Sequence, residues 1–288
     1  MYEYKGQIFK YKKHPLRFIP KLCRHIFRSW GYDVVSLNPP ISQSQSKVSD
    51  QLEYYETPIG NYYVPKDAVN DGIRYAMIHG EVFDAPVYEE GRKHIKEDTI
   101  VLDIGSNFGQ MALMFSKHVG NNGLVYAFDV QPFVFDILKK NIKANNAKVQ
   151  PIFGAVHEKA GEILKLRKID FEHAEQTWGS YGVDYSKSKD KSIEVKTITI
   201  DEMNIDKPVS FIKTDIQGGD LFALKGAVKT INKNRMPIIF EYESSLEERY
   251  HMCFQDYVDF VNDIDYYFAK VVMQNNFLIL PKENRKSV

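Results

Sequence analysis

One stretch of the chain, Val101-Leu-Asp-Ile-Gly-Ser-Asn-Phe-Gly109, decides the fold. It combines a short buried strand, a tight glycine turn and the start of a helix, the arrangement with which open α/β sheets bind ligands at the carboxyl ends of their strands. Gly105 and Gly109 carry no Cβ atom, so the backbone there has room to approach a bound group. The stretch therefore predicts a ligand site at the end of this strand.

Strands and helices alternate outward from this turn. The sequence predicts buried strands at 99–104, 124–129, 149–156, 209–214 and 237–242, and helices at 88–95, 110–119, 133–145, 221–231 and 244–261. Such alternation predicts parallel βαβ units with right-handed crossovers. Residues 53–63 are predicted to form a hairpin or an extended lead-in, and further predicted strands are an inserted pair at 162–167 and 192–200 and a terminal antiparallel hairpin at 266–280. We therefore expect an α/β protein with a mostly parallel sheet.

Composition excludes several classes of protein. The chain has 288 residues, and its 38 Lys and Arg residues balance 38 Asp and Glu residues, which disfavours a nucleic-acid binder with an overall basic charge. Its two cysteines fit a reducing compartment. No apolar run approaches the roughly 18 residues that span a bilayer, and no signal peptide opens the chain. We expect a soluble, cytoplasmic protein with no transmembrane segment.

The zero net charge conceals a basic N-terminal arm. Residues 1–31 hold eight Lys or Arg and one acid, so the arm carries +7 and the other 257 residues carry −7. Residues 41–50 are polar and of low complexity, as in a flexible linker. Such an arm either is a solvated surface or contacts an anionic membrane surface or substrate. A peripheral anionic-surface contact through residues 1–31 stays open at this point.

The spacing of the glycine turn disfavours a dinucleotide site. No third glycine completes G-x-G-x-x-G, and no P-loop lysine follows. Asp103, just before the turn, suits a cationic ligand. Asp129 ends the next predicted strand, where an acidic side chain can accept hydrogen bonds from ribose hydroxyls. Together these features resemble the S-adenosylmethionine site of Rossmann-like methyltransferases.

A second stretch narrows the resemblance to one family. Phe211-Ile-Lys-Thr-Asp-Ile-Gln-Gly-Gly-Asp-Leu-Phe-Ala-Leu-Lys-Gly-Ala227 is similar to the signature of FkbM-type methyltransferases. Shorter matches follow the family's order at 80–84, 126–132, 196–201 and 237–241, so the resemblance covers residues 54–280. In two places the chain departs from the family: Gln217 and Asp220 stand where the family usually has glutamates.

The resemblance implies a Rossmann-like class I methyltransferase fold. Its mostly parallel seven-stranded sheet would carry the terminal antiparallel hairpin, and an N-terminal extension would precede it. We accordingly predict three parts: a basic arm and polar linker (1–50), a lead-in segment covering the cofactor site (51–98), and the methyltransferase domain (99–288).

The resemblance also implies roles for individual residues. The cofactor S-adenosyl-L-methionine would be held at its methionine, ribose and adenine ends by Asp84, Asp103, Gly105, Ser106, Asn107, Gly109, Asp129, Val130, Ala155 and Asp215, with Phe128 beside the adenine. Catalysis is assigned to Asp215, with Lys213 holding it ionised, and to His157 as a further candidate base. Acceptor contacts are predicted at Trp178, Tyr181, Gln217, Glu241 and Glu243. No spacing of side chains demands a metal ion.

These observations lead to one leading hypothesis and two alternatives. The leading one is an S-adenosylmethionine-dependent methyltransferase that O-methylates a sugar, a glycoconjugate or a small anionic metabolite. Its partner would be a small-molecule or carbohydrate acceptor and not a nucleic acid. The alternatives are an NAD(P)-dependent oxidoreductase on a similar sheet and a non-catalytic cofactor-binding protein.

Overall fold

The computed structural model describes residues 51–167 and 192–284, which divide into two compact units. The first unit comprises residues 51–83, and the second comprises 84–167 together with 192–284. The basic arm and linker, and with them Trp178 and Tyr181, lie outside the described residues. The three-part division expected from the sequence stays a prediction. Within 51–167 and 192–284, no helix is long and apolar enough to cross a membrane.

The first unit is a hairpin followed by one helix. Strands β1 (Leu52–Thr57) and β2 (Gly60–Pro65) pair antiparallel, which confirms the predicted hairpin. Helix α1 (Gly72–His79) begins after Asp71, whose carboxylate accepts a hydrogen bond from the Arg74 amide at 2.8 Å. A short polar side chain before a helix satisfies amide groups that have no partner inside the first turn. Arg74 also pairs with Glu53 at 2.7 Å, which joins the helix to the hairpin.

The second unit is built on a seven-stranded sheet. Its strands in chain order are β3 (Ile100–Ile104), β4 (Leu124–Asp129), β5 (Val149–Phe153), β9 (Val209–Thr214), β10 (Ile238–Glu241), β11 (Tyr266–Met273) and β12 (Asn276–Pro281). The spatial order is β11-β12-β10-β9-β3-β4-β5. The five strands from β10 to β5 run parallel, and β12 lies antiparallel between β10 and β11. The predicted α/β fold and its terminal antiparallel hairpin are confirmed.

Helices follow most of these strands and pack on the sheet. They are α2 (Ala85–Gly91), α3 (Gln110–Phe115), α4 (Pro132–Ala144), α5 (Asp220–Lys225), α6 (Val228–Asn234), α7 (Glu247–Tyr250) and α8 (Phe254–Asp263). Helix α3 contacts β3 and β4, α4 contacts β5, α6 contacts β9, and α8 contacts β11. Helix α2 is shifted toward the N-terminus, because it begins three residues before the predicted residue 88. Helix α3 is shorter than predicted, because it ends at Phe115 and not at residue 119.

The predicted third strand at 149–156 is two strands. It breaks at Gly154, and the chain leaves the large sheet there. The two residues of β6 (Ala155–Val156) join β7 (Ile163–Arg167) and β8 (Ser192–Ile198) in a separate sheet of order β6-β8-β7. The inserted strands predicted from the sequence therefore form their own small sheet.

The two long helices predicted late in the chain are each interrupted. The first splits into α5 and α6 around Gly226, where a Cβ atom would lie 2.0 Å from the carbonyl oxygen of His157. Asp201 then caps α6, accepting the amides of Lys229 and Thr230. The second splits into α7 and α8 at His251, whose φ is 51°. A capping box formed by Cys253 and Asp256 begins α8.

Strand β10 lies in the hydrophobic core of the second unit. Phe240 of β10 is fully buried, and its ring lies 5.1 Å from that of Tyr257 and 5.7 Å from that of Phe277. Strand β10 is thereby fixed between its parallel neighbour β9 and its antiparallel neighbour β12. This packing holds the end of β10, at Glu241, in place beside the end of β9.

Replacing Phe240 by alanine tests this packing. We expect Phe240→Ala to lower the free energy of unfolding by about 3–5 kcal/mol, the usual cost of emptying a large aromatic site in a core. Phe153→Ala is the matched control, because Phe153 is also a phenylalanine in a strand of the large sheet but is 44% exposed. Urea denaturation of both variants measures the difference. Equal losses of stability would contradict the proposed packing of β10.

Candidate active site

Four parallel strands end side by side and bring polar residues together. Asp103 of β3 is the register partner of Lys213 of β9, and Thr214 of β9 is the partner of Phe240 of β10. Because side chains alternate along a strand, Lys213 and Asp215 point to the same face as Asp103. The ends of β3, β4, β9 and β10 thus form one edge rich in carboxylates.

The glycine turn after β3 is shaped by its neighbouring strand. Gly105 has a φ of 83°, and a Cβ atom there would lie 1.9 Å from the carbonyl oxygen of Asp215. The amides of Gly105 and Ser106 donate to the carbonyl of Phe128, at 3.0 and 2.9 Å. The sequence pointed to a ligand as the reason for a glycine here. The structure adds a second reason, the close approach of the chain that carries Asp215.

Asp129 holds the other side of this turn. Its carboxylate accepts hydrogen bonds from three backbone amides: Asn107 at 3.0 Å, Val130 at 2.7 Å and Gln131 at 2.9 Å. Burial raises the pKa of Asp129 to about 6, although these three donors favour the ionised form. A carboxylate offers about four acceptor positions, so one remains for a ligand hydroxyl.

Lys213 lies at the centre of the edge. Its side chain is 8% exposed, and its Nζ donates to the carbonyl oxygen of Gly105 at 3.2 Å. The same nitrogen lies 3.7 Å from Asp103 Oδ1 and 3.6 Å from Asp215 Oδ2. Burial alone would lower the pKa of Lys213, but the negative charges of Asp215 and Asp103, and further those of Asp84 and Glu241, outweigh it and raise the pKa.

Asp103 is fully buried, and its two carboxylate oxygens have no hydrogen-bond partner among the described residues. Burial raises its pKa, and the charge of Lys213 opposes that rise. Asp84 and Asp215 are only half-buried. Burial and the charge of Asp215 raise the pKa of Asp84 to about 7. A cationic ligand would therefore meet Asp84 and Asp215 first.

Gln217 joins the ends of β9 and β10. Its φ is 55°, and its Nε2 lies 3.4 Å from Asp215 Oδ1 and 3.2 Å from Glu241 Oε2. Burial and the negative charge of Asp215 raise the pKa of Glu241 well above its usual value. Burial and the charge of Asp215 likewise raise the pKa of Glu243. Of the predicted acceptor contacts, the structure therefore brings Gln217, Glu241 and Glu243 to Asp215.

Asp220 supports the loop that carries Asp215. It is fully buried at the first position of α5, and its carboxylate accepts hydrogen bonds from the Thr214 hydroxyl at 2.9 Å and the Ile216 amide at 3.4 Å. Burial and the charge of Asp215 raise its pKa to about 7. The sequence showed Asp220 only as a departure from the family pattern. Its position at the start of a predicted helix, five residues after Asp215, could have indicated that its carboxylate binds the preceding loop.

The other predicted cofactor and catalytic residues in the described part of the chain are Val130, Ala155, Gly109 and His157. Val130 packs against the small hydrophobic cluster that contains Ala155, and Gly109 precedes α3 with a φ of 90°. His157 stacks on Phe222 with ring centroids 4.6 Å apart, and burial lowers its pKa. The charges that act on His157 come from nearby Glu158, Glu162 and Lys159, not from the residues around Lys213.

Phe128 is a residue of the hydrophobic core. The sequence placed it next to the adenine, and the structure leaves it 1% exposed. The reason is strand alternation: Asp129 faces the glycine turn, and the preceding side chain points into the core.

Removing the central cation should destabilise the chain. We expect Lys213→Met to lower the free energy of unfolding by about 3–5 kcal/mol, because it leaves buried carboxylates without their counter-charge. Lys229→Met, an exposed change in α6, should stay within about 0.5 kcal/mol of the wild type. Urea denaturation at neutral pH compares the two. A Lys213→Met variant as stable as the control would refute the proposed charge balance.

The raised pKa of Asp220 predicts a pH dependence of stability. Its folded-state pKa, about 7, lies above the unfolded value of about 3.9. The proton bound by the folded state therefore stabilises it fully below the unfolded pKa, and this contribution is lost as the pH rises through 7. From pH 5 to 8 we expect wild-type stability to fall more steeply than that of Asp220→Asn. Chemical denaturation at four pH values measures the slopes, and exposed Asp206→Asn should keep the wild-type slope. Identical slopes for Asp220→Asn and the wild type would contradict the assignment.

Solved structures of methyltransferases are similar to this chain only at low identity. The FkbM methyltransferase of Methylobacillus flagellatus KT is 16% identical over 75% of this chain and 55% of its own, with a TM-score of 0.43. A TehB-like SAM-dependent methyltransferase from Corynebacterium glutamicum is 11% identical over 72% and 91%, with a TM-score of 0.40. TYW2 of M. jannaschii, solved with AdoMet, is 10% identical over 82% and 87%, with a TM-score of 0.38. The chain thus spans about half of the FkbM structure.

None of the curated proteins compared with the chain matches it. The sequence model of the Methyltransferase FkbM domain does match, over residues 103–270. That range contains the glycine turn, Asp129, the signature segment from β9 to α5, and Glu241. It covers more than half of the chain, and the chain therefore belongs to the FkbM methyltransferase family.

Proposed function

We propose that this protein is an S-adenosylmethionine-dependent O-methyltransferase that acts on a sugar, a glycoconjugate or a small anionic metabolite. The observation that carries the proposal is the acidic edge beside the glycine turn. There, the half-buried carboxylates of Asp84 and Asp215 lie with the buried Asp103 around one lysine. A region with more carboxylates than cations attracts a cationic ligand and repels a pyrophosphate. This argues against the NAD(P)-dependent alternative.

The residues at this edge fit S-adenosylmethionine. Asp84 and Asp215 supply negative charge for the ammonium and sulfonium groups at its methionine end, with Gly105, Ser106 and Asn107 as the adjoining backbone. Asp129 keeps an acceptor position for a ribose hydroxyl. Val130 and Ala155 form an adjacent apolar surface for the adenine. Gly109 would contribute through its backbone, which ends the turn and precedes the first residue of α3.

The chain's own residues would mainly align the acceptor. When bound, S-adenosylmethionine supplies an electrophilic methyl group on a sulfonium. The charge of Lys213, 3.6 Å away, lowers the pKa of Asp215 despite its burial, so Asp215 is ionised at neutral pH. An ionised carboxylate at this point can hold an acceptor hydroxyl in line for transfer and accept its hydrogen bond. Glu243, two residues beyond Glu241, would contact further acceptor hydroxyls.

Calorimetric titration tests the cofactor assignment. We expect the wild type to bind S-adenosylmethionine and not NAD⁺ or NADP⁺. Asp84→Asn should weaken S-adenosylmethionine binding by about tenfold or more, because a hydrogen bond to a charged group contributes about 1.5–3 kcal/mol and 1.4 kcal/mol corresponds to a factor of ten.

The matched control is Asp136→Asn, which changes an exposed aspartate of α4 paired with Lys139. It should bind like the wild type. Absence of S-adenosylmethionine binding by the wild type would overturn the proposed function. Equal affinity of Asp84→Asn and the wild type would overturn only the role of Asp84. Formation of S-adenosylhomocysteine with any acceptor would exclude a non-catalytic binding protein.

A further inference from the structure

Asp215 and Glu241 are held together by one amide group. The Nε2 of Gln217 lies within 3.4 Å of an oxygen of Asp215 and within 3.2 Å of an oxygen of Glu241. The register of β9 and β10 explains this proximity, since Thr214 and Phe240 are partners and the next residue of each strand is one of the two acids. The two carboxyl groups therefore lie on either side of the same amide nitrogen.

The surroundings distinguish the two acids. Lys213 lies 3.6 Å from Asp215 and lowers the pKa of that carboxyl, whereas burial and the charge of Asp215 raise the pKa of Glu241. The other charged groups that act on the pair are carboxylates from neighbouring elements: Asp103 of β3, Asp84 before α2, Asp220 of α5 and Glu243 after β10. Two carboxyl groups that bind the same amide among further acids cannot both ionise at low cost, so they share a proton.

We propose that Asp215 and Glu241 act as one proton-sharing pair, aligned by Gln217, which takes the proton of the acceptor's nucleophile during methyl transfer. This inference rests on the proposed function. In the step, the acceptor oxygen forms a bond to the methyl carbon, and the carbon–sulfur bond breaks with its electron pair staying on sulfur. The proton of that oxygen passes to the carboxylate of Asp215. Because Asp215 is 25% exposed, the pair can release this proton to solvent.

Gln217 is suited to this arrangement because it is neutral. The family's usual glutamate would add a third negative charge between the two acids and could donate no hydrogen bond when ionised. The amide instead donates toward both carboxyl groups. Its backbone is held at a φ of 55°, a conformation uncommon for a residue other than glycine. Gly218, at φ 90°, packs against the ring of Tyr250 and supports the turn. Gln217 is therefore a positioning residue.

The pair also restricts the acceptor. A proton-accepting group is useful only for a nucleophile that still carries its proton at neutral pH. An alcohol hydroxyl does so, whereas a carboxylate or a phosphate oxygen is already ionised. The carboxylates around the pair would in addition repel an anionic group at the point of attack. The methylated atom is thus a hydroxyl oxygen, and any anionic group of the acceptor lies away from it.

Carboxyl titrations test the pair without relying on turnover. The full chain, labelled with ¹³C at the Asp and Glu carboxyl carbons, is followed by NMR from pH 3 to 10. In the wild type we expect Glu241 to titrate above a free glutamate and Asp215 below a free aspartate. Asp215→Asn should shift the Glu241 midpoint down by about one pH unit or more, the sign of strong coupling. An unshifted Glu241 midpoint would overturn the proposal.

Two further variants separate alignment from general damage. Gln217→Glu should raise the midpoint of Glu241 further, because it adds a carboxylate between the two acids. Glu248→Gln, an exposed change in α7, should leave both midpoints unchanged. A wild-type Glu241 midpoint in Gln217→Glu would contradict the role of Gln217. Binding of S-adenosylmethionine is measured on the same samples. If the carboxyl midpoints contradict the proton-sharing pair while the cofactor still binds, only the pair is overturned and the proposed function is not.

Product analysis tests the restriction on the acceptor. The enzyme is incubated with S-adenosylmethionine carrying a labelled methyl group and an equimolar mixture of neutral methyl glycosides and uronic acids. A labelled methyl ether on a sugar hydroxyl is the expected product. A labelled methyl ester of a uronic acid would overturn the proposed proton transfer.

Discussion

The buried ammonium group of Lys213 is the interaction on which the acidic edge depends. It is the counter-charge for Asp103 and Asp215 and donates to the carbonyl of Gly105, so one side chain joins two strand ends and the turn between them. Carboxylates buried without a cation would take up protons or draw in water. The lysine instead lets Asp215 stay ionised beside acids whose pKa values are raised.

The two departures from the family pattern have different consequences. Asp220 is one methylene shorter than the family's glutamate and turns inward, where it holds Thr214 and Ile216. Gln217 keeps the length of a glutamate but removes its charge, and it faces the two acids at the strand ends. Asp220 thus stabilises the conformation of the loop that follows β9. Gln217 leaves one fewer negative charge beside Asp215 and Glu241.

Much of the fold was predictable from the sequence because its signals are local. Buried strands, the glycine turn and the terminal hairpin follow from periodicity and turn residues. The interrupted helices were not predictable, since Gly226 faces the carbonyl of His157, which is distant along the chain. The burial of Phe128 was not predictable either, because proximity in sequence to Asp129 says nothing about the face on which a side chain lies. The pairing of Gln217 with Glu241 needed the strand order, which the sequence alone does not contain.

The contact between Gly105 and the carbonyl of Asp215 has a consequence for how such an enzyme can diversify. Because there is no space for even a methyl group between them, a change in the conformation of the turn requires a change at the end of β9, and the reverse. New acceptor preferences must therefore arise elsewhere. The segment from Glu243 to Cys253 has short helices and a positive-φ break at His251, and it meets the turn after β9 at Gly218 through the ring of Tyr250. We expect substrate range to evolve there while the chemistry stays unchanged.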